Sequence, residues 1–364
     1  MSVALISLYP LDATGGGELY TIETAQAILA GGESVTIAAP VDVLPPRADM
    51  ADRLRTPFIF TDAASDAAPE VVTWRDVLAS LPRHDHVWVH QYLASELVFD
   101  VIASTASDQS LLFTSLGFEL IRPVFADVYQ PCRGQHFVEI SAYAASRASL
   151  YARNATWMHA AIWRREMRPL DVASPRRREY VALGRVLPHK GLETTIDALA
   201  ADDVLHVVGP APDEAYGAFL RERARGKHVT FHGRLPRADV RTLVAETNGL
   251  VAASTHHLFD GRRIEQPELL GLVLCEALRD GTLPVSSNVP AFAEVMGAVG
   301  LSDWTFPEGD SEALRADMRR LARLDDDERR ERLESARAAL VNRFAWDDYW
   351  PRVTAVIEDM RSCA

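Results

Sequence analysis

Lysine is almost missing from this chain of 364 residues: Lys190 and Lys227 are the only two, while arginine is abundant. Base composition accounts for the skew, yet it makes the placement of Lys190 informative. Cysteine is scarce as well. Cys132, Cys275 and Cys363 lie far apart, which excludes a zinc-type or disulfide spacing and fits a reducing cytoplasm. No apolar run approaches the ~20 residues that span a bilayer. The N-terminal stretch MSVALISLYPLD lacks a basic n-region and soon reaches Asp12, so it reads as a core strand rather than a signal peptide. Positive charge is in deficit, with 38 basic against 51 acidic side chains and a net charge of −13. Residues 1–172 alone hold 12 arginines, no lysine and 20 acids. Such a surface repels phosphate backbones and anionic headgroups at long range, so neither nucleic acid nor a membrane surface is an expected partner. These absences predict a soluble, cytoplasmic protein with no transmembrane segment.

What remains is an ordinary globular composition over a length that suits two domains. Short apolar runs alternate with amphipathic segments, the pattern of parallel α/β units. In the first half, strands are expected at 3–9, 34–40, 86–91, 111–116, 137–141 and 156–161. The loop Thr14-Gly15-Gly16-Gly17 leads into a helix from Glu18 to Ala30. Residues 169–179, PLDVASPRRRE, read as a linker. A second set follows, with strands in YVALGRV, DVLHVVG, HVTFHGRL, GLVAAS and LPVSS, and the chain after Asp303 reads as helical. The economical architecture is α/β, two Rossmann-like domains facing a central cleft, with residues 1–172 as the first and 173–343 as the second.

Two segments carry candidate chemistry. The loop Gly184-Arg185-Val186-Leu187-Pro188-His189-Lys190-Gly191 follows a strand, and the C-terminal ends of parallel strands open onto the ligand crevice. Arg185 and Lys190 on that loop offer two cations to a departing diphosphate, or else form a solvated basic loop. The second segment runs from Glu268 to Glu276. Eight positions at ~100° each place the two glutamates on different faces of one continuous helix. They meet a common ligand if Glu268 stands on a loop and Glu276 in the helix, a break that Pro267 and Gly271 favour. The N–H groups near Gly271, Leu272 and Val273 then become free to bind phosphate oxygens. On spacing alone, an amphipathic core helix with two solvated acids is the better reading.

Taken together these segments resemble the GT-B glycosyltransferases, most closely the retaining group called family 4. The family's second domain reads Gly-Arg-(four residues)-Lys-Gly, His-Gly-Arg, Glu-x-Phe-Gly-(four residues)-Glu-Ala and Gly-Thr-x-Pro-Val. Here these occur in order as Gly184 to Gly191, His232-Gly233-Arg234, Glu268 to Ala277 and Gly281 to Val285. The first domain matches more loosely through Gly15–Gly17, His90 and Ser141, and Phe344/Trp346 resemble the start of a closing helix that returns to the first domain. The resemblance implies that Arg185 and Lys190 bind the donor diphosphate, Glu276 the ribose and Glu268 the transferred sugar. It also implies backbone approach by Gly16, Gly17 and Gly184, with Gly271, Leu272 and Val273 on the donor side. His90, Leu116 and Glu119 are the acceptor-side candidates. Leu116 stands where the family often has a histidine, so either another group makes that histidine's contact with the sugar or the donor is a deoxy or otherwise modified sugar lacking the hydroxyl.

The activity so implied is retaining transfer from a nucleoside diphosphate sugar to a soluble small-molecule acceptor, in specialised metabolism, with no metal and no cofactor. A sugar-nucleotide epimerase and a non-catalytic nucleotide-binding relative share the fold and stay open, as does a homodimer. His84, Asp85, His86 and His90 lack zinc-type spacing and are not expected to bind metal. The stretch from Thr255 to Pro267, with Asp260, Arg262, Arg263 and Glu265, reads as a solvated insert placed where it can touch nucleotide or acceptor.

Overall fold

The computed structural model describes residues 1–7, 11, 15–41, 58–62, 81–90, 101–117, 135–150, 152, 154–170 and 176–362. The chain divides into two compact units, Met1–Ala160 with Trp346–Ala364, and Ala161–Ala345. Each is built on a parallel sheet flanked by helices, the Rossmann-like pattern. Among the described residues no helix is long and apolar enough to cross a membrane, and no group of three or more His, Cys, Asp or Glu is arranged to hold a metal ion.

The first unit orders its strands β3 (Phe58–Asp62), β2 (Ser34–Val41), β1 (Ser2–Ser7), β4 (His86–His90), β5 (Ser110–Thr114), β6 (His136–Glu139) and β7 (Asn154–Trp157). Val3 to Ser7 are all buried, because helices cover both faces of a parallel sheet and leave no polar side. Helix α1 (Gly16–Ala30) is buried over most of its circumference. The returning chain end explains this: Tyr20 meets Trp346 edge-on at 4.7 Å, and a Cβ on Gly31 would lie 2.4 Å from Trp350 Cδ1. Helix α2 (Ala142–Ala148) is capped by Ser141, whose hydroxyl accepts from Ala144 N. That is the structural role of this serine.

Three local expectations need correction. Strand β3 was not expected, because its five residues gain their place by pairing with β2 (Ile37 opposite Phe58) at the sheet edge. The strand expected at 156–161 lies instead at Asn154–Trp157, in register with β6, and the apolar Met158 and Ala160 are buried beyond the ladder. Arg176–Glu179 belong to a strand rather than a linker. They extend β8 (Arg176–Leu183), where Arg176 sits opposite Thr247 and Glu179 opposite Val204.

The second unit orders its strands β10 (His228–Gly233), β9 (Val204–Val208), β8, β11 (Thr247–Ala252), β12 (Pro284–Ser287) and β13 (Thr305–Phe306). Its helices are α3 (Leu192–Ala198), α4 (Glu214–Arg223), α5 (Arg237–Glu246), α6 (Leu272–Asp280), α7 (Pro290–Ala298), α8 (Ser311–Arg323) and α9 (Asp326–Phe344). The last helix, α10 (Tyr349–Ser362), belongs to the first unit. The segment entering the second unit is fastened by buried charge. Asp280 pairs with Arg241 at 2.8 Å and Arg279 at 2.6 Å, while Glu166 accepts from Arg237 at 3.0 Å. Each carboxylate in this network has a cation within reach, which is the condition for burying it without a large penalty.

Candidate active site

Strands β8, β9 and β10 end on Gly184, Gly209 and Gly233, with φ of 118°, 145° and 64°. Their backbones lock together: Gly184 N donates to Val208 O at 3.0 Å and Gly209 N to Gly233 O at 2.8 Å. A Cβ on Gly209 would stand 1.9 Å from Gly184 O, so only glycine fits. The result is a floor free of side chains at the carboxyl ends of three adjacent strands, the usual ligand position in such sheets. Gly209 was not singled out from sequence. The available signal was a glycine closing the apolar run of β9.

Beside this floor, a 3₁₀ turn at Pro188–Lys190 is closed by Gly191 at φ 57°. A Cβ on Gly191 would lie 2.2 Å from Ala253 O, and Thr255 N donates to His189 O at 2.9 Å. These contacts clip the turn to the loop after β11. Lys190 Nζ thereby reaches Glu268 Oε1 at 2.5 Å, and the same oxygen accepts from Ser254 Oγ at 2.6 Å. Burial alone pushes the Glu268 carboxyl up, but Lys190, His189 and the Ser254 bond outweigh it and hold the group below its ordinary value. Burial, with Lys190 adjacent, pushes His189 down to about 4, so its ring is neutral at pH 7. Arg185 is exposed on the same loop. Gly184, Arg185, Lys190 and Glu268 are thus brought together.

Helix α6 begins at Leu272, so Glu268 stands on the loop before it and Glu276 within the helix. Gly271 makes the break. Its φ is 96°, and a Cβ there would meet Phe292 Cδ1 at 2.6 Å. No side chain caps α6, which leaves the first-turn N–H groups of Leu272 and Val273 without a capping acceptor. The Glu276 carboxylate accepts no hydrogen bond among the described residues. Burial raises its pKa, and the charges of Arg279 and Arg237 oppose the rise without cancelling it. A carboxylate kept partly buried and unbonded is poised for hydroxyl donors.

The remaining candidates belong to the first unit. Gly16 and Gly17 open α1, and the Glu18 carboxylate folds over Gly15, where a Cβ would lie 2.1 Å from Oε2. Thr21 Oγ1 lies 3.1 Å from both Gly17 O and His90 Nδ1, which links two of the expected residues. His90 is fully buried, its Nε2 has no partner among the described residues, and burial pushes its pKa down to about 3. Leu116 is half-buried beside Ser115, whose N and Oγ both donate to the buried Glu139. Glu139 escaped the sequence reasoning because one acid at a strand end carries no motif. Glu119 lies outside the described residues.

With this geometry in place, comparison with known proteins is specific. Residues 165–339 match the family model described as "Glycosyl transferases group 1". The chain is 24% identical to the phosphatidyl-myo-inositol mannosyltransferase of Mycobacterium leprae (strain TN), over 98% of this chain and 96% of that protein. Among solved structures, a glycosyltransferase from Rickettsia africae ESF-5 superposes with a TM-score of 0.78 at 15% identity, each chain covered in full. AviGT4, a glycosyltransferase involved in avilamycin A biosynthesis, gives a TM-score of 0.67 at 17% identity, covering 100% of this chain and 99% of that one. These structural matches establish the shared fold, and the family match falls on the unit that holds the glycine floor, Lys190, Glu268 and Glu276. Residues 165–339 are thus related to the glycosyl transferases of group 1, and the chain as a whole has the fold of the glycosyltransferases it superposes on, the GT-B fold.

Proposed function

We propose that the second unit binds the diphosphate of a nucleotide sugar and that the enzyme transfers the sugar, with retention at the anomeric carbon, to a small-molecule acceptor. The observation carrying this is the Lys190–Glu268 pair standing beside the Gly184–Gly209–Gly233 floor. A flat base can lie against glycine backbone, which no side chain obstructs. Glu276, with free carboxylate oxygens, takes the ribose hydroxyls. The uncapped N–H groups of Leu272 and Val273, with Arg185 and Lys190, receive the diphosphate, where helix dipole and side-chain cations act on the same negative charge. Glu268 accepts from a hydroxyl of the transferred sugar while keeping Lys190 in place.

In the transfer step the acceptor oxygen bonds to the anomeric carbon as the bond to the diphosphate oxygen breaks. The acceptor proton passes to the departing phosphate. Arg185 and Lys190 serve by stabilising charge that grows on that phosphate, an interaction stronger in the transition state than in the ground state. The mannosyltransferase relative acts, by its name, on a phosphatidylinositol, and AviGT4 serves avilamycin A biosynthesis. A soluble acceptor of the second kind suits the acidic first unit.

A thermal-shift panel of UDP, GDP, ADP and dTDP tests donor binding, and one base is expected to stand out. Lys190→Ala should lower turnover by about 10²–10³-fold with the fold retained, as for loss of one charge-stabilising group. A Lys190→Ala enzyme as active as the parent would refute this assignment. Anomeric NMR of the product checks retention, and product formation from donor without acceptor would indicate an epimerase instead.

A further inference from the structure

The segment between Ser254 and Glu268 is not an irregular loop. Ile264 N donates to His256 O and Leu258 N to Arg262 O, both at 2.8 Å, with His257 opposite Arg263 in antiparallel pairing. Gly261, at φ 83°, closes the turn by donating to Leu258 O at 2.9 Å. Two anchors hold this hairpin. Phe259 packs against Tyr216 and Phe219 of α4, at 5.1 and 4.9 Å between ring centroids. At its base, Glu308 accepts from His256 N at 2.8 Å and lies 2.9 Å from His256 Nδ1. Both ends of the segment are site residues, since Ser254 Oγ donates to Glu268 itself.

The charges on the hairpin are unequally used. Asp260 holds Arg262 at 2.6 Å and Glu308 holds His256, so these four are satisfied. His257 and Arg263 are exposed, and neither side chain has a hydrogen bond or ion pair among the described residues. The flanking bonds make them a non-hydrogen-bonded pair, the kind that brings two side chains closest on one face. Three residues of extended chain span at most about 11 Å, so the Cα of His257 lies within that distance of the Cα of Ser254, whose hydroxyl bonds Glu268.

We infer that this hairpin reads an anionic substituent, a carboxylate or a phosphate, on the transferred sugar or on the acceptor, with His257 and Arg263 as the reading pair. This rests on the transferase function proposed above. A guanidinium supplies two parallel donors to such a group, and the adjacent imidazole adds a third. The anchors through Phe259 and Glu308 hold the hairpin in place before the anion arrives, so only the two side chains remain to be ordered on binding.

The first experiment follows the His257 ring resonances of the full chain while inorganic phosphate is added. A saturable shift is expected in the parent protein and its loss in Arg263→Gln; no saturable response in the parent overturns the inference. The second compares charged with neutral partners, using the nucleotide selected by the thermal-shift panel. One arm sets the nucleoside diphosphate glucuronate against the glucose donor, the other glucose 6-phosphate against glucose as acceptor. In one arm the charged member should be favoured about tenfold or more, and His257→Gln/Arg263→Gln should abolish that preference while leaving the bare nucleotide's thermal shift unchanged. Equal preference in both arms, or preference untouched in the double variant, overturns the inference. A flat nucleotide panel beside a saturable phosphate response would instead count against the donor assignment alone.

Discussion

Two carboxylates of the candidate site face opposite electrostatic fates, and this can be measured. Glu276 has its folded pKa raised by burial, so its stabilising contribution exists below the unfolded value of about 4.3 and is lost as pH rises. Glu276→Gln should therefore raise the melting temperature at pH 7 by a few degrees, give no gain at pH 4, and lose the nucleotide's thermal shift. Glu268, held below its ordinary value against the pull of burial, contributes above about pH 4.3 and loses that contribution on acidification. Glu268→Gln should lower the melting temperature at pH 7, because it leaves Lys190 without its ion pair. Thermal melts of both variants at the two pH values decide the matter. His90 gives a third test. Its pKa is pushed down to about 3, so the unfolded chain binds the extra proton between pH 6.5 and 3 and stability falls through that window as pH falls. At pH 5 the cost is about 2 kcal/mol, and His90→Asn should flatten the dependence in urea unfolding.

At the level of elements, capping and turn chemistry explain where the helices begin. Asp325 and Glu328 form a reciprocal capping box at the start of α9, and Asp325→Ala should cost about 1 kcal/mol in urea titrations. Asp326, Asp327 and Glu328 in that first turn also complement the helix dipole, while the box itself depends on side-chain geometry. Long apolar runs such as 3–7 were legible because both faces of a parallel strand are buried. β3 and the first residues of β8 were not, since pairing with β2, β9 and β11 places residues whose own pattern is weak. The hairpin after β11 was equally hidden. Its composition reads as a solvated loop, and only the contacts of Phe259 and Glu308 make it an ordered element.

For the molecule as a whole, charge is unevenly divided. Met1–Ala160 with Trp346–Ala364 holds 11 basic and 22 acidic side chains, whereas Ala161–Ala345 holds 27 and 29. The negative excess thus lies in the first unit, while the nearly balanced second unit carries the candidate diphosphate site. A nucleoside diphosphate at about 100 times its dissociation constant should add about 2.7 kcal/mol of stability. Hydrogen exchange should show the protection at Gly184–Lys190 and at Leu272–Val273, and protection elsewhere in the second unit alone would move the donor site. By itself the sequence determined the α/β class and the order of the strands' apolar runs, and pointed to Gly184, Lys190, Glu268 and Glu276 as candidates, because burial and glycine backbone demands are written locally. Tertiary structure decided the rest. Lys190 meets Glu268 because Gly191 packs on Ala253, and His90 is buried where Tyr20 and Thr21 of α1 pack against it. Such contacts join residues far apart in the chain, and no local pattern encodes their meeting.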